Sequence, residues 1–141
     1  MVQWIVYALL SATFAALTAI FSKIGLKGIN SDLATAIRTA IILVITWGIV
    51  LFKTKFSEIS TLSKFNWIFL ILSGVATGLS WLFYYRALQA GPVAAVNAID
   101  KTSLLFVIVL SFIFLKEPFT PKMMVGVSLI IIGTIMLVYS K

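Results

Sequence analysis

The chain has 141 residues, of which 62% are hydrophobic and only 11% are charged, and its mean hydropathy is +1.15. Soluble domains are closer to half apolar and a quarter charged, so the composition excludes a water-soluble protein and indicates a lipid bilayer as its surroundings. The net charge of +7 comes from basic residues scattered between apolar segments, which argues against the one-sided basic face typical of nucleic-acid binding.

Five apolar runs follow one another along the chain, each long enough to cross a membrane. A helix needs about 20 apolar residues to cross a hydrocarbon core of about 30 Å, and the runs are continuous, unlike the alternating strands of a membrane barrel. The sequence therefore predicts an all-α membrane protein with five transmembrane helices in one domain, residues 1–141. Their expected bounds are about Gln3–Lys23, Leu33–Phe52, Trp67–Ala90, Val93–Leu115 and Met123–Tyr139.

Turn-forming and polar residues separate the runs. Asp32 is expected to cap the second helix, and Pro92 follows a glycine between the third and fourth runs. Thr120 and Pro121 suit the cap and the first turn of the last helix. The polar segment 53–66 is the longest connection and predicts a short helix at the membrane interface.

An odd number of spans places the two termini on opposite sides of the membrane, and the basic residues divide almost equally between those sides. The bias of Lys and Arg that normally fixes orientation is therefore nearly absent. Two interpretations stay open: a single orientation, or dual topology with pairing as an antiparallel homodimer, which would resemble the inverted repeats of longer transporters. The basic residues are Lys53, Lys55, Lys64, Lys116 and Lys122 on the amino-terminal side, and Lys23, Lys27, Arg86, Lys141 and, if it extends that way, Arg38 on the other.

The fourth span contains an adjacent acid and base, Asp100 and Lys101, as its only charges. A charge near the bilayer centre costs at least about 2.5–3.5 kcal/mol, so an ionisable residue there predicts a functional site. Neighbours on a helix point about 100° apart. We therefore expect not a simple internal salt bridge but separate contacts beside Asn97, in a shared polar cavity.

The first three spans also carry small or polar residues on one face. Such residues often serve helix–helix contact, but four polar faces together with charges inside the membrane favour a cavity lined by the helices. Arg38 either joins this cavity or extends to the headgroups, whereas Arg86, near the end of its span, is expected to extend to the headgroups. On the third span, Trp81, Tyr84 and Tyr85 are the expected lining residues.

Two glycine patterns permit close approach between helices. Gly126 and Gly133 lie seven residues apart on one face of the last span, and we expect the dimer seam there, because small residues drive helix association in lipid. Gly74 and Gly78 form a second pattern in the third span. Either pattern also fits a contact within one chain.

The chain has no Cys and no His. This composition excludes disulfides and thiol nucleophiles, and it removes the commonest metal ligand and general base. We therefore expect no metal, no cofactor and no enzymatic activity, although carboxylates alone could still hold a hard cation.

Several segments together resemble an EamA repeat of the drug/metabolite transporter superfamily. The resemblance is carried by RALQAGPVAAV between the third and fourth spans, by FLKEPFTP after the fourth, by a last helix that contains glycine, and by ALLSATFAALTAIFSKIGLKG near the start. Most members have two repeats and ten spans. This chain is similar to the small single-repeat branch, in which IDK in the fourth span is a familiar feature.

The resemblance implies a multi-pass transporter of small metabolites, often an exporter, in a prokaryotic inner membrane, with a second copy completing its pathway. We expect transport by alternating access. Lys101 and Arg38 would favour a solute with an anionic or carboxylate group, and Asp100 would bind a proton or the amino group of the solute. The alternative is a non-transporting subunit that scaffolds or regulates a larger membrane complex, in which Asp100 and Lys101 are structural. The residues expected along the pathway are Asp100, Lys101, Asn97, Arg38, Trp81, Tyr84 and Tyr85.

Overall fold

The computed structural model describes residues 3–53 and 56–139, with the backbone alone at residues 56 and 57. Lys55 and Lys141, which entered the count of basic residues, lie outside this part of the chain. The described elements are helical, which confirms the all-α prediction. They are α1 (Gln3–Gly25), α2 (Ser31–Lys53), a 3₁₀ helix (Phe56–Thr61), α3 (Lys64–Ala90), α4 (Val93–Asp100), α5 (Ser103–Leu110), a π-helical turn (Ser111–Leu115) and α6 (Pro121–Tyr139).

Five helical stretches are long and apolar enough to cross a membrane, as the sequence predicts. The observed bounds differ from the expected ones by a turn or less. The fourth stretch, Val93–Leu115, contains α4, α5 and the π-helical turn. The short helix expected in the polar connection is present as the 3₁₀ helix Phe56–Thr61.

The chain forms two compact units. The first unit contains most of α1 (residues 3–21) and the described residues from 90 onward, which include α4, α5 and α6. The second unit contains the described residues between 22 and 89, which include α2, the 3₁₀ helix and nearly all of α3.

The start of α2 differs from the sequence prediction. Asn30, not Asp32, caps this helix, because its side-chain oxygen accepts hydrogen bonds from the backbone N–H groups of Asp32 (2.7 Å) and Leu33 (3.3 Å). Asp32 instead lies in the first turn of α2, which leaves its carboxylate available to another helix. At α6 the prediction is confirmed: Thr120 Oγ1 accepts from the backbone of Met123 (3.4 Å), and the helix begins at Pro121.

Five threonine hydroxyls on the first three spans are bonded within their own helices. Each of the threonines concerned donates to the carbonyl oxygen four residues earlier, a common arrangement for hydroxyls inside a helix. These groups are satisfied without any neighbouring helix, so they give no independent support to a polar cavity. The threonines are Thr13, Thr35, Thr39, Thr46 and Thr77.

Candidate functional site

The fourth span is interrupted at Lys101 and Thr102, directly after Asp100. Their φ and ψ angles, −68° and −15° for Lys101 and −65° and −16° for Thr102, are close to those of a 3₁₀ helix. The backbone N–H of Thr102 donates to Ile99 (2.9 Å), and that of Leu104 donates to Lys101 (3.1 Å). These three-residue bonds form a tight turn, and such turns within a helix often mark functional hinges. Neither Gly nor Pro marks it, so sequence reasoning missed it.

Two hydroxyl groups satisfy backbone carbonyls beside this turn. Thr134 Oγ1 on α6 donates to the carbonyl oxygen of Ala98 (3.1 Å), and both residues are buried. Thr102 Oγ1 donates to the carbonyl of Ile99 (2.6 Å). Backbone groups inside a membrane need protein partners because no bulk water reaches them. The Thr134 bond therefore attaches α6 to the end of α4, where the span is interrupted.

Asp100 and Lys101 contact each other, which corrects the expectation that they do not bridge. Lys101 Nζ lies 3.8 Å from Asp100 Oδ2, with 67% of the Lys101 side chain and 43% of the Asp100 side chain exposed. The Cβ directions of helix neighbours diverge, but the flexible lysine stem lets the ammonium group return to the carboxylate. Strong charge-assisted bonds have N–O distances of about 2.7–2.9 Å, so this pair is loose.

Asn97 lies one turn before Lys101 and is half-buried. Its side-chain nitrogen donates to the carbonyl of Val93 in the same helix (2.9 Å). An open groove of about 490 Å³ lies between α4–α5 and α6, with a mostly apolar lining that includes Lys101, Gly133 and Thr134. The Lys101 side chain therefore borders a groove in the first unit.

A second group of expected pathway residues meets in the second unit. The guanidinium carbon of Arg38 lies over the Trp81 ring, 4.0 Å from its centroid, and 5.4 Å from the centroid of Tyr85. The rings of Tyr84 and Tyr85 meet edge to face at 6.2 Å. Tyr85 is 3% exposed, and its hydroxyl lies 2.7 Å from Ser22 Oγ. This contact fixes the Tyr85 ring beneath Arg38.

Arg86 forms an ion pair, whereas the sequence suggested that it extends to the headgroups. Its Nε and Nη2 donate to the two carboxylate oxygens of Asp32 at 3.1 and 2.9 Å. This bidentate geometry joins the first turn of α2 to the last part of α3. Sequence reasoning missed the partner because Asp32 was assigned to the helix cap.

The expected pathway residues therefore form two groups, one in each unit. Asn97, Asp100 and Lys101 lie at the interrupted span, and Arg38 lies on the aromatic residues of α3. Within residues 3–53 and 56–139, no three carboxylate, His or Cys side chains come together in a set that could hold a metal ion.

Five apolar spans, one of them interrupted beside a charged pair, define a multi-pass membrane protein. The chain belongs to the EamA-like transporter family, which matches residues 2–139 and confirms the resemblance found in the sequence. This family consists of transporters rather than enzymes.

Two relatives span almost the whole chain. An uncharacterized transporter from Sinorhizobium sp is 45% identical over 135 residues, 96% of each chain. An uncharacterized protein from Methanocaldococcus jannaschii is 33% identical over 137 residues, 97% of each chain. No solved structure matches the chain significantly. Because the coverage is nearly complete in both directions, these relatives too have the length of one five-span unit.

Proposed function

We propose that the protein is a secondary transporter that exports a small polar metabolite by alternating access, as an antiparallel homodimer in a prokaryotic inner membrane. The observation that carries the proposal is the position of Asp100 and Lys101 at the 3₁₀ turn of the fourth span. Transporters typically bind substrates and coupling ions at discontinuous helices near the bilayer midplane. Membership of a transporter family and a bacterial relative that is named as a transporter support the proposal.

The looseness of the charged pair suggests how it works. Lys101 is largely exposed and borders the groove, so its ammonium group contacts the solute, together with Asn97. When the ammonium group of Lys101 turns to the solute, the Asp100 carboxylate loses its partner. It then either accepts a proton or binds the amino group of the solute. Binding of solute at Lys101 is thereby linked to binding of a cation at Asp100.

A second copy is expected at the open face of α6. Val127 and Thr134 are buried in their own chain, whereas Gly126 and Gly133 lie about 100° further around the helix, with open space where a Cβ atom would stand. A flat glycine face permits close helix approach in lipid. Gly133 also lines the groove beside Lys101, so the dimer seam would run along the candidate site.

Transport is tested with purified protein in liposomes loaded with a defined mixture of amino acids, monocarboxylates, nucleosides and polyamines. We expect mass spectrometry to detect release of at least one solute, and we expect Asp100→Asn and Lys101→Met each to reduce its rate at least about tenfold. Release equal to that from protein-free liposomes would contradict the proposal and favour the non-transporting membrane subunit. Release that is unchanged in both variants would remove the two residues from the pathway.

Orientation is tested with single cysteines, because the chain has no Cys. Gln3→Cys and Tyr139→Cys place one thiol near each end, and an impermeant maleimide reports which side of the membrane each thiol faces. We expect each variant to be labelled from both sides of the membrane. Labelling of each thiol from one side only would exclude the antiparallel dimer.

The dimer seam is tested by crosslinking in membranes. We expect the double variant Gly126→Leu/Gly133→Leu to remain folded and become monomeric, because an added Cβ atom has no neighbour within 4 Å in the chain itself, whereas the leucine side chains obstruct a second helix. Gly74→Leu/Gly78→Leu is the matched control, since these glycines are equally open. If Gly74→Leu/Gly78→Leu is monomeric and Gly126→Leu/Gly133→Leu is dimeric, the dimer contact lies on α3 and not on α6.

A further inference from the structure

Cationic side chains in the spans find different partners. Arg86 is paired with Asp32 through two hydrogen bonds, Lys23 Nζ donates to the carbonyl of Leu88, and Lys101 lies beside Asp100. Arg38 contacts two aromatic rings, and in the part of the chain that the structure describes no carboxylate lies within ion-pair distance of it. Its charge is therefore stabilised by ring faces but not neutralised.

The aromatic contacts leave the hydrogen-bonding capacity of Arg38 unused. A guanidinium over a ring is attracted to the ring face, whereas its five N–H donors point outward in the plane of the group. Among residues 3–53 and 56–139, no protein oxygen accepts from these donors. Arg38 is only half-buried, so a ligand can reach the N–H donors at the edge of its guanidinium group. A fixed guanidinium fork of this kind matches the two coplanar oxygens of a carboxylate or phosphate.

The contact with Trp81 also holds Arg38 away from the headgroups. The Asp32–Arg86 pair joins the start of α2 to the end of α3. Arg38 lies six residues after Asp32 in α2, and Trp81 lies five residues before Arg86 in α3. At about 1.5 Å per residue, both lie roughly 7–9 Å from the pair along their helix axes. An arginine that extends to the headgroups would point back toward the pair. Arg38 instead lies over a ring at its own depth.

We propose that the Arg38 guanidinium, held over Trp81 and Tyr85, binds one oxyanion group of the transported solute, a carboxylate or a phosphate. The inference deepens the proposed function and rests on it for the source of the anion, since it names the solute class. The bound anion neutralises the charge of Arg38, which has no carboxylate partner among the described residues. Moving net charge through a low-dielectric membrane is costly, so the loaded protein changes conformation more readily than the empty one.

Binding is tested without transport, in nanodiscs of phosphatidylcholine. The substitutions Trp4→Phe, Trp47→Phe and Trp67→Phe leave Trp81 as the sole tryptophan, whose emission reports on its contact with Arg38. The probes are acetate, butyrate, benzoate, succinate and inorganic phosphate, with butyramide and benzamide as uncharged counterparts. We expect at least one anion to change the emission saturably, and we expect its amide to have no effect.

Variants of Arg38 identify the site. Arg38→Gln should weaken binding of the active anion by about 10- to 100-fold, because hydrogen bonds to a charged group are lost, and Arg38→Lys should weaken it less. The matched control is Asp32→Asn/Arg86→Gln, which removes an arginine together with its acid and should bind as the wild type does. No response to any anion, or a response that Arg38→Gln leaves unchanged, overturns the inference.

Three further outcomes separate the alternatives. If phosphatidylglycerol in the discs abolishes the response, the ligand is a lipid phosphate and the solute assignment is overturned. If liposomes release solutes that carry no oxyanion, and Arg38→Gln has no effect on release, the proposed function stands and this inference fails. If anions bind through Arg38 but no solute is released, the site stands and the transport function fails.

Discussion

Asp32 and Arg86 come from different helices and meet through two hydrogen bonds of 3.1 and 2.9 Å. Asp100 and Lys101 are neighbours in one span and lie 3.8 Å apart. The first pair joins the start of α2 to the end of α3. The second pair joins nothing beyond its own turn and can open without moving a helix. An acid and a base that are close in sequence are therefore the better candidates for exchanging partners with a ligand.

The largest difference between the pairs should appear in transport. We expect Asp100→Asn to reduce the rate of solute release at least about tenfold, equivalent to about 1.4 kcal/mol, because the variant lacks the carboxylate that we propose binds Lys101 and a cation in turn. The measurement is release from liposomes at equal amounts of folded protein. Asp32→Asn/Arg86→Gln is the control and should retain release. Equal losses in both variants would show that the two pairs do not differ in function.

Exchanging the charges should separate the pairs further. Asp32→Arg/Arg86→Asp keeps an acid facing a base across α2 and α3, and we expect it to retain both folding and release. Asp100→Lys/Lys101→Asp keeps the net charge, but it moves the ammonium group about 100° around the helix and away from the groove. We expect this variant to fold and to release little solute. Normal release would show that net charge alone matters at the turn.

The bond from Thr134 to Ala98 tests whether the turn needs support from α6. Thr134→Val should lower stability by roughly 1 kcal/mol, because a buried carbonyl loses its hydroxyl partner. The thermal unfolding midpoint in detergent measures this effect, and Thr134→Ser is the control because it keeps the hydroxyl. An unchanged midpoint in Thr134→Val would mean that the carbonyl of Ala98 is satisfied in another way.

The smallest expected effect is that of breaking the pair between α2 and α3. Asp32→Asn should lower the unfolding midpoint by less than Thr134→Val, because both partners are about half exposed and exposed pairs contribute little. Restoration of the midpoint in Asp32→Arg/Arg86→Asp would assign the loss to the pair itself. A drop larger than that of Thr134→Val would place Asp32 in a more enclosed environment than its exposure indicates.

The fold was largely predictable because apolar length alone determines which segments can cross a bilayer. The interruption of the fourth span was not predictable, because neither Gly nor Pro marks it and the hydroxyl that satisfies the nearby carbonyl of Ala98 comes from Thr134, 36 residues away. Helical spacing placed Trp81 and Tyr85 on one face, but their contact with Arg38 requires the pairing of two helices. Asp32 was misplaced because Asn30, two residues earlier, is an equally good cap.

The threonine hydroxyls that bond within their own helices have a consequence for biogenesis. A span whose polar groups are already satisfied can leave the translocation channel singly, because it needs no neighbour in the lipid. Among the described residues, the partners of Arg38 are rings of α3, which emerges later from the ribosome. The second span should therefore enter the lipid together with the third, as a helical hairpin, and Asp32 should meet Arg86 in the same step.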